Sequence, residues 1–490
     1  MKPDLALEVP PAESLGRVHF IGIGGAGMSG IARILLARGL TVSGSDAKDS
    51  RALDVLRAVG AVVAVGHDAA HVAQADTVVV SSAVRETNPE LAAARERGLL
   101  VLHRSQALAA VMVGRRAVAV AGTAGKTTTT SMLTVALQHC GADPSFAIGG
   151  ELTEGGANAH DGTGDVFVAE ADESDGSFLL YRPTVAIVTN VEPDHLDHYG
   201  TAEAVEAAFD AFADRIVPGG VLVACGDDPG SARLAAHAAQ RRQGEISVRT
   251  YGQGQGCTVR VTGLDASGPR VRFALETDGG PQVGELQLRV PGAHNALNAA
   301  AAWTAAVALG YDPARVAAGL AAFGGTRRRF EAKGEAAGVR VVDDYAHHPT
   351  KLAAVLHAAR AVAGTGRVLA VFQPHLYSRT RLFAADFGRA LGLADEVVVM
   401  DVYAAREDPE PGVSGALIAR EVPLPAERVV FVPSWSQVAA EVARRARPGD
   451  LVLTIGAGDV TMLGPQILAA LREHASGADA SGAPAPGGRP

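Results

Sequence analysis

Residues 117–129 read Ala-Val-Ala-Val-Ala-Gly-Thr-Ala-Gly-Lys-Thr-Thr-Thr, an apolar run that breaks into a turn rich in glycine and threonine. Residues 117–120 have strand character and residues 131–139 have helix character. A strand that feeds a helix through such a turn aims backbone N–H groups and a helix N-terminus at anionic oxygens, so phosphate is the expected ligand. Lys126 would reach the β- and γ-phosphates and the Thr127 hydroxyl a bound Mg²⁺, as these residue types do in P-loops. The general pattern is incomplete, because the glycine expected five positions before Gly125 is Val120. By itself the stretch also reads as a turn capping a buried helix; carboxylates further on favour the phosphate reading.

The chain has 490 residues, too many for one core, and about three domains are expected. Hydrophobic residues make up 48% and aromatics only 4%, so the cores must be built of Ala, Val and Leu, which favours buried parallel sheets. A net charge of −9 with scattered signs argues against a nucleic-acid surface. Lysines occur only at 2, 48, 126, 333 and 351, which makes one retained in a glycine turn more telling. Cys140, Cys225 and Cys257 form no C-x-x-C pair, so neither a zinc site nor a disulfide framework is expected and the cytosol is the natural compartment. The first sixteen residues carry acids and prolines where a signal peptide needs a basic start and an apolar core. No apolar run reaches the roughly 20 residues of a membrane span. Residues 475–490, of Gly, Ala, Ser and Pro without periodicity, are expected to be a disordered tail.

Three regions alternate strand and helix patterns, the mark of parallel α/β sheets. In residues 17–112, strands are expected at 18–23, 40–43 and 77–81 and a helix near 28–38. The first turn, Gly22-Ile23-Gly24-Gly25-Ala26-Gly27, is a G-x-G-x-x-G between strand and helix, with Asp46 after the second strand. It suits a nicotinamide cofactor or another nucleotide diphosphate equally. From about 115 to 325, strands at 166–169 and 185–189 deliver Glu170-Ala171-Asp172-Glu173-Ser174-Asp175 and the run Asn190 to Asp197. Carboxylates at the ends of parallel strands, beside a phosphate loop, are where Mg²⁺ ligands belong. His195 alone would read as a surface histidine; between Asp194 and Asp197 it reads better as a metal-site residue. From about 326 to 474, strands at 339–342, 368–372, 396–400 and 451–455 precede three polar clusters. These are Asp343 to Pro349, Gln373-Pro374-His375 with Ser378 to Arg381, and Gly456 to Asp459, all expected on one sheet edge and suited to carboxylate-bearing substrates. Arg327-Arg328-Arg329 is either a solvated charge run or, at this junction, a phosphate contact.

The motifs HFIGIGGAGMSGIA, SSAVRETNPE, HRSQALA, GTAGKTTTT, EADESDGSF, TNVEPDHLDHY, GAHNALNA, RRRFE, DDYAHHPTK, FQPHLYSRT, DVYAAREDPEPGVSG and TIGAGD occur in this order. In that order the chain resembles the Mur ligases over about residues 17–470, and within them the branch that adds alanine. The resemblance implies an α/β chain of three domains: a Rossmann-like N-terminal domain for the UDP-sugar (1–113), a P-loop-type central ATPase domain (114–325) and a Rossmann-like C-terminal domain that brings the amino acid and closes on the others (326–474). It implies that Gly22, Gly24, Gly25, Gly27, Met28 and Ser29 cradle the UDP diphosphate, and that Asp46, His67, Ser82 and Arg104 line the same site. NAD is then unnecessary. It likewise implies that Gly122, Thr123, Gly125, Lys126, Thr127 and Thr128 hold ATP, with Mg²⁺ on Thr127, Glu170 and His195. His294, Asn295 and Asn298 match the adenine-side motif, and Arg329 and Asp344 the groups that reach phosphates and ribose. His347, His348, Arg379 and Arg381 should face the amino acid and the reacting carboxylate, His348 being the candidate base on residue type alone.

The activity so implied is ATP-dependent joining of L-alanine to the lactyl carboxylate of UDP-N-acetylmuramate through an acyl phosphate, in peptidoglycan precursor synthesis. The partners implied are those two substrates, with no nucleic acid or membrane, and a monomer or weak homodimer. Two departures stand out. Ala124 replaces the histidine usual in the family's phosphate loop, which points to weakened ATP handling or to a nucleotide-binding regulator without catalysis. Phe209 stands near the position of the carbamylated lysine of sister ligases, and no lysine lies between Lys126 and Lys333, which fits the alanine-adding branch. A recycling ligase that attaches a ready-made peptide to the same UDP-sugar shares much of the pattern, but a different first glycine turn is expected of it.

Overall fold

The computed structural model of the chain describes residues 3–5, 7–154, 156–405 and 407–481. Valine- and alanine-rich segments buried on both faces fold into three mostly parallel sheets covered by helices, as such composition requires. The first sheet orders its parallel strands Val62–Val65, Val42–Asp46, Val18–Ile21, Thr77–Val80 and Leu100–His103. Successive strands are added first on one side of Val18–Ile21 and then on the other, and the crevice at that switch is where an open α/β sheet takes its ligand.

The second sheet has ten strands. At its centre Arg116–Ala121 lies between Val166–Glu170 and Val185–Val188, all parallel. The carboxyl ends of these three strands therefore meet at one place, and Phe178, Phe209 and Phe212 belong to the hydrophobic core of the same unit. Val221–Cys225 and Ser247–Gly252 continue the parallel part, and strands up to Val283–Leu288 extend it further.

The helix Ala26–Ala37 of the first sheet docks on the hairpin strand Ala159–His160 of the second. Asn158 Nδ2 donates to the Ala26 carbonyl at 2.8 Å, Arg33 bonds Asn158, and Arg38 Nη2 pairs with Asp161 at 2.9 Å. A Cβ on Gly30 would stand 3.0 Å from that of Ala159, so glycine permits the close approach. The first two sheets share one compact unit, comprising Met1–Leu264, Arg272–Leu288 and Asn295–Thr326.

The other unit is built on the third sheet, ordered Glu331–Ala336, Val339–Asp344, Leu451–Ile455, Val368–Phe372, Glu396–Met400 and Val429–Val432. Only its first strand runs antiparallel, with a register shift between Ala332 and Gly334.

Several expected boundaries move. The helix after the phosphate turn starts at Lys126, not at 131, because Gly125 at φ +86° turns the chain directly into it. Thr130 and Thr134 accommodate the helix by bonding back to the carbonyls four residues earlier, each at 2.8 Å. Asp46 ends its strand instead of following it. The last helix, Leu463–Ser481, runs into the expected tail, whose alanines carry helix as well as they carry disorder; residues 482–490 lie outside the described residues.

Candidate functional site

The turn after Val18–Ile21 is held by its own backbone. Gly22 sits at φ +80°, and the N–H groups of Gly22 and Ile23 both donate to the Ser45 carbonyl, at 2.8 and 2.9 Å. Asp46 Oδ2 accepts from Gly24 N at 2.9 Å, which ties the acid to the turn. Gly22, Gly25, Met28, Asp46, His67 and Arg104 help line a cavity of about 630 Å³. Gly27 also lines it, where an added Cβ would stand 3.0 Å from Arg104 Nη1. Three expected residues stand outside the lining: Gly24, whose N–H is taken by Asp46; Ser29, which is buried and bonds back to the Ala26 carbonyl; and Ser82, which meets His103 Nε2 at 3.5 Å while Ser81 lines the cavity.

Arg104 leads from this cavity to the second sheet. Its Nη2 pairs with Asp172 Oδ2 at 3.0 Å. Burial opposes the Asp172 charge, but Arg104 and then Lys126 hold its carboxyl down at about 2.

The phosphate loop is clamped from behind. Gly122 stands at φ +133°, and a Cβ there would lie 2.0 Å from Thr189 Oγ1. Ala124 N donates to Asn190 Oδ1 at 2.7 Å, and the Ala124 carbonyl accepts from Thr189 Oγ1 at 2.5 Å. Thr123 is buried, its hydroxyl accepting from Glu192 N at 3.0 Å. Lys126 Nζ donates to the Gly122 carbonyl at 2.7 Å and to Glu173 Oε1 at 2.8 Å. Burial works against the ammonium, yet the charges of Glu173, Asp172 and Glu170 outweigh it and raise its pKa. Thr128 occupies the same first helical turn.

Thr127 Oγ1 donates to Glu170 Oε1 at 3.0 Å, and Glu170 Oε2 accepts from Gly149 N at 2.7 Å. A hydroxyl and a carboxylate side by side on a phosphate loop are hard oxygen donors of the kind Mg²⁺ takes, the rest of its shell coming from phosphates and water. Among the described residues no group of three His, Cys, Asp or Glu side chains makes a self-sufficient metal cage. His195, at φ 55°, brings Nε2 to 3.7 Å from both Glu173 and Asp194, so it shares with Lys126 the carboxylate of Glu173.

Asn298 supports the loop: its Oδ1 accepts from Thr129 Oγ1 at 3.2 Å, its Nδ2 donates to Asn295 Oδ1 at 3.0 Å, and a Cβ on Gly125 would stand 2.6 Å from it. His294 lies in the first turn of the same helix, Ala293–Ala308. Phe209 is buried with its ring 5.3 Å from that of Phe178, an apolar setting.

In the other unit the three expected clusters do share one edge, since Val339–Asp344, Leu451–Ile455 and Val368–Phe372 are parallel neighbours. Gln373 Nε2 bonds Asp459 at 2.8 Å. Asp344 is buried and accepts from Phe330 N and Ala346 N, each at 2.8 Å. Burial pushes its carboxyl up to about 6, against the pull of Arg329. Within the arginine triplet Arg328 is structural, donating to the Gly456 and Gly458 carbonyls at 2.9 Å, while Arg329 lies over the Tyr345 ring at 5.1 Å. His347 donates Nδ1–H to the Tyr345 carbonyl at 2.9 Å; burial, with Lys351 and Arg379 nearby, pushes its pKa far down and keeps it neutral. His348 is buried against the Phe383 ring and precedes the helix Pro349–Ala363. Arg379 lies in the first turn of the helix Tyr377–Leu391, and Arg381 turns to an exposed ion pair with Glu410 at 2.9 Å.

Glu173, Thr189 and Asn190 were not singled out by sequence. The signal available was their place at strand ends facing the loop, but which of the neighbouring acids meets the lysine is a matter of packing.

Family models match the chain in three successive stretches: the Mur ligase family catalytic domain at residues 17–116, the Mur ligase middle domain at 120–306 and the Mur ligase glutamate ligase domain at 328–458. The chain belongs to the Mur ligase family. This Mur ligase is 65% identical to a UDP-N-acetylmuramate–L-alanine ligase of Kineococcus radiotolerans over 94% of its own length and 97% of the relative's. It is 60% identical to one from Acidothermus cellulolyticus, covering 95% and 97%. Among solved structures it is similar to the UDP-N-acetylmuramate-alanine ligase of Thermotoga maritima, with TM-score 0.76, 30% identity, and coverage of 94% and 99%. A murein peptide ligase of Psychrobacter arcticus gives TM-score 0.69 at 25% identity, covering 93% and 99%. Among the described residues of the Mur ligase, no helix is long and apolar enough to cross a membrane.

Proposed function

We propose that this Mur ligase joins L-alanine to UDP-N-acetylmuramate with cleavage of ATP. A carboxylate is a poor electrophile and an ammonium carries no lone pair, so activation must come first. The lactyl carboxylate attacks the γ-phosphorus and ADP leaves, giving an acyl phosphate; the free amine of alanine then attacks the acyl carbon, and phosphate departs as the amide forms. The observation that carries the reading is the Arg104–Asp172 pair, which joins the sugar-diphosphate cavity to the acidic strand end beside Lys126. Phosphoryl donor and carboxylate acceptor are thereby served by one compact unit.

Residues 1–113 take the UDP-sugar, 114–325 ATP and 326–474 the amino acid. Lys126 and the N–H groups of the loop bear on the charge of the transferring phosphoryl group. Thr127 and Glu170 hold Mg²⁺, with His195 nearby; when bound, the ion neutralises phosphate charge. His347, His348 and Arg379 serve the amino acid. The enzyme works in the cytoplasm, where its nucleotide substrates are made, as a monomer or weak homodimer.

Incubation with ATP, Mg²⁺, UDP-N-acetylmuramate and L-alanine should yield a product heavier than the sugar nucleotide by one alanine residue, read by mass spectrometry. Preference for a muropeptide-type tripeptide in place of L-alanine would overturn the assignment in favour of a recycling ligase.

A further inference from the structure

Two neighbouring acids follow the strand Val166–Glu170 in one turn and hold the two cations described above. Asp172 Oδ2 takes Arg104, which lines the cavity at the first glycine turn, and Glu173 takes Lys126 of the phosphate loop at 2.7 Å. Both acids are committed: Asp172 Oδ1 also accepts from Ser174 N at 3.1 Å, and Glu173 is almost wholly buried. Where the backbone of the turn sits therefore decides where the two cations stand.

That backbone closes on the carbonyl of Glu173. The carbonyl accepts from Gly176 N at 3.1 Å, with Gly176 at φ +74°, and from Tyr199 Oη at 2.5 Å. These two bonds fill its two lone pairs, and of the two only the tyrosine's comes from outside the turn. Burial, with the carboxylates of Glu173, Asp175 and Asp172, pushes the Tyr199 phenol up, so it keeps its proton and donates.

Tyr199 is itself set by a short, closed piece of chain. The helical turn Leu196–Tyr199 starts from His195, whose carbonyl accepts from Tyr199 N at 3.1 Å, and the His198 ring meets the Tyr199 ring edge-on at 4.7 Å. A Cβ on Gly176 would stand 3.5 Å from His198 Nε2 and 4.0 Å from Tyr199 Oη, so the two turns lie in contact. With His195 Nε2 at 3.7 Å from Glu173 Oε1, the segment meets Glu173 twice, His195 at the carboxylate and Tyr199 at the carbonyl.

We propose that Tyr199 is a positioning residue that fixes, through the Glu173 carbonyl, the turn presenting Asp172 to Arg104 and Glu173 to Lys126, and so sets both nucleotide sites at once. Without the phenol the carbonyl is one bond short in a buried place, the turn shifts, and each cation follows its carboxylate. This rests on the reading above, which gives the UDP-sugar to the first cavity and ATP to the phosphate loop.

The test compares the full-length enzyme with Tyr199→Phe, which removes one oxygen and keeps the ring against His198. KM for ATP and KM for the UDP-sugar should each rise about 10-fold, while KM for L-alanine and kcat at saturation hold within about twofold. Gly176→Ala, strained at its positive φ, opens the same turn from its other bond and should reproduce that pattern. In a Glu173→Gln background, Tyr199→Phe should raise KM for ATP by less than about threefold, because the carboxylate it places is already gone, while its effect on KM for the UDP-sugar persists. Unchanged KM values for both nucleotides in a folded Tyr199→Phe overturn the inference, as does a fully additive rise in KM for ATP in the Glu173→Gln background. A parallel fall in kcat, in kcat/KM for every substrate and in the unfolding midpoint also overturns it, since that marks a merely structural tyrosine. A wild type that forms no ADP in response to the UDP-sugar and L-alanine overturns the reading of the two sites, and the inference with it.

Discussion

Lys126 Nζ touches both oxygens of Glu173, at 2.8 and 2.7 Å. The ammonium of the phosphate loop is thus held by a carboxylate that is itself almost wholly buried, and a polyphosphate must draw it from that partner. Lys126→Met should lower the rate of phosphate release, with both co-substrates saturating, by about 10²- to 10³-fold. Glu173→Gln should instead move KM for ATP more than kcat. A methionine variant with wild-type turnover would remove Lys126 from the chemistry.

Gly122 has no room for a side chain, since a Cβ would strike Thr189 Oγ1, and its φ of +133° suits glycine alone. Gly122→Ala should shift the loop by a fraction of an ångström and cut kcat/KM for ATP about 100-fold. Alanine-dependent ADP formation measures it; retention of more than half the activity contradicts the clamp.

Ala124 is held through its backbone, by Asn190 and Thr189. The loop therefore keeps its shape without the family's histidine, and the wild type should turn over. Ala124→His should change kcat/KM for ATP by less than about 10-fold, which is about 1.4 kcal/mol of barrier. A silent wild type beside an active Ala124→His would recast the chain as a nucleotide-binding regulator.

Phe209 is packed against Phe178, which in turn stacks on Phe212 with ring centroids 4.9 Å apart. Phe209→Lys should destabilise the fold by about 4 kcal/mol, through lost packing and a buried amine. Thermal unfolding measures the loss, and added bicarbonate should not recover it, because no carbamate site is waiting there.

Asp344 provides a pH signature. Its folded carboxyl stands at about 6 against an ordinary 3.8, so the folded state binds its proton more tightly. The associated stability is complete below pH 3.8 and is lost as the pH rises through 6, by about 3 kcal/mol at most. The stability difference between Asp344→Asn and the wild type should drift in the variant's favour between pH 4 and 7. Unfolding midpoints across that range test it, and a flat difference contradicts the shift.

What the sequence made legible was whatever needs a special residue type. The turns at Gly22 and Gly122 demand positive φ and close approach, and the strands delivering Glu170 and Asn190 are apolar runs that can only be buried. Glu331–Ala336 was hidden because its EAKGEA pattern shows no apolar alternation; a place in the sheet beside Val339–Asp344 makes it a strand. Val62–Val65 and Leu100–His103 give a weaker signal than the equally short Thr77–Val80 because they are the edge strands of the first sheet and only partly buried. At the site, Ser81 and not Ser82 lines the cavity because the chain turns just past Thr77–Val80, Val84 N closing on the Ser81 carbonyl at 3.1 Å, which leaves Ser82 beside His103. Glu173 carries no local signature, since it acquires its partners from segments that meet only on folding.

The docking of Ala26–Ala37 on Ala159–His160, through Asn158, Arg38 and the bare face of Gly30, has a consequence for inhibitor chemistry. It sets the span between the two nucleotide loops, so a linker of matched length could join a sugar-diphosphate mimic to an adenine mimic without paying to align two separate bodies. Such a tethered compound should gain by effective concentration, about 10²-fold or more over its better half, and loosening that joint by Arg38→Ala should erode the gain while sparing the affinity of each half alone.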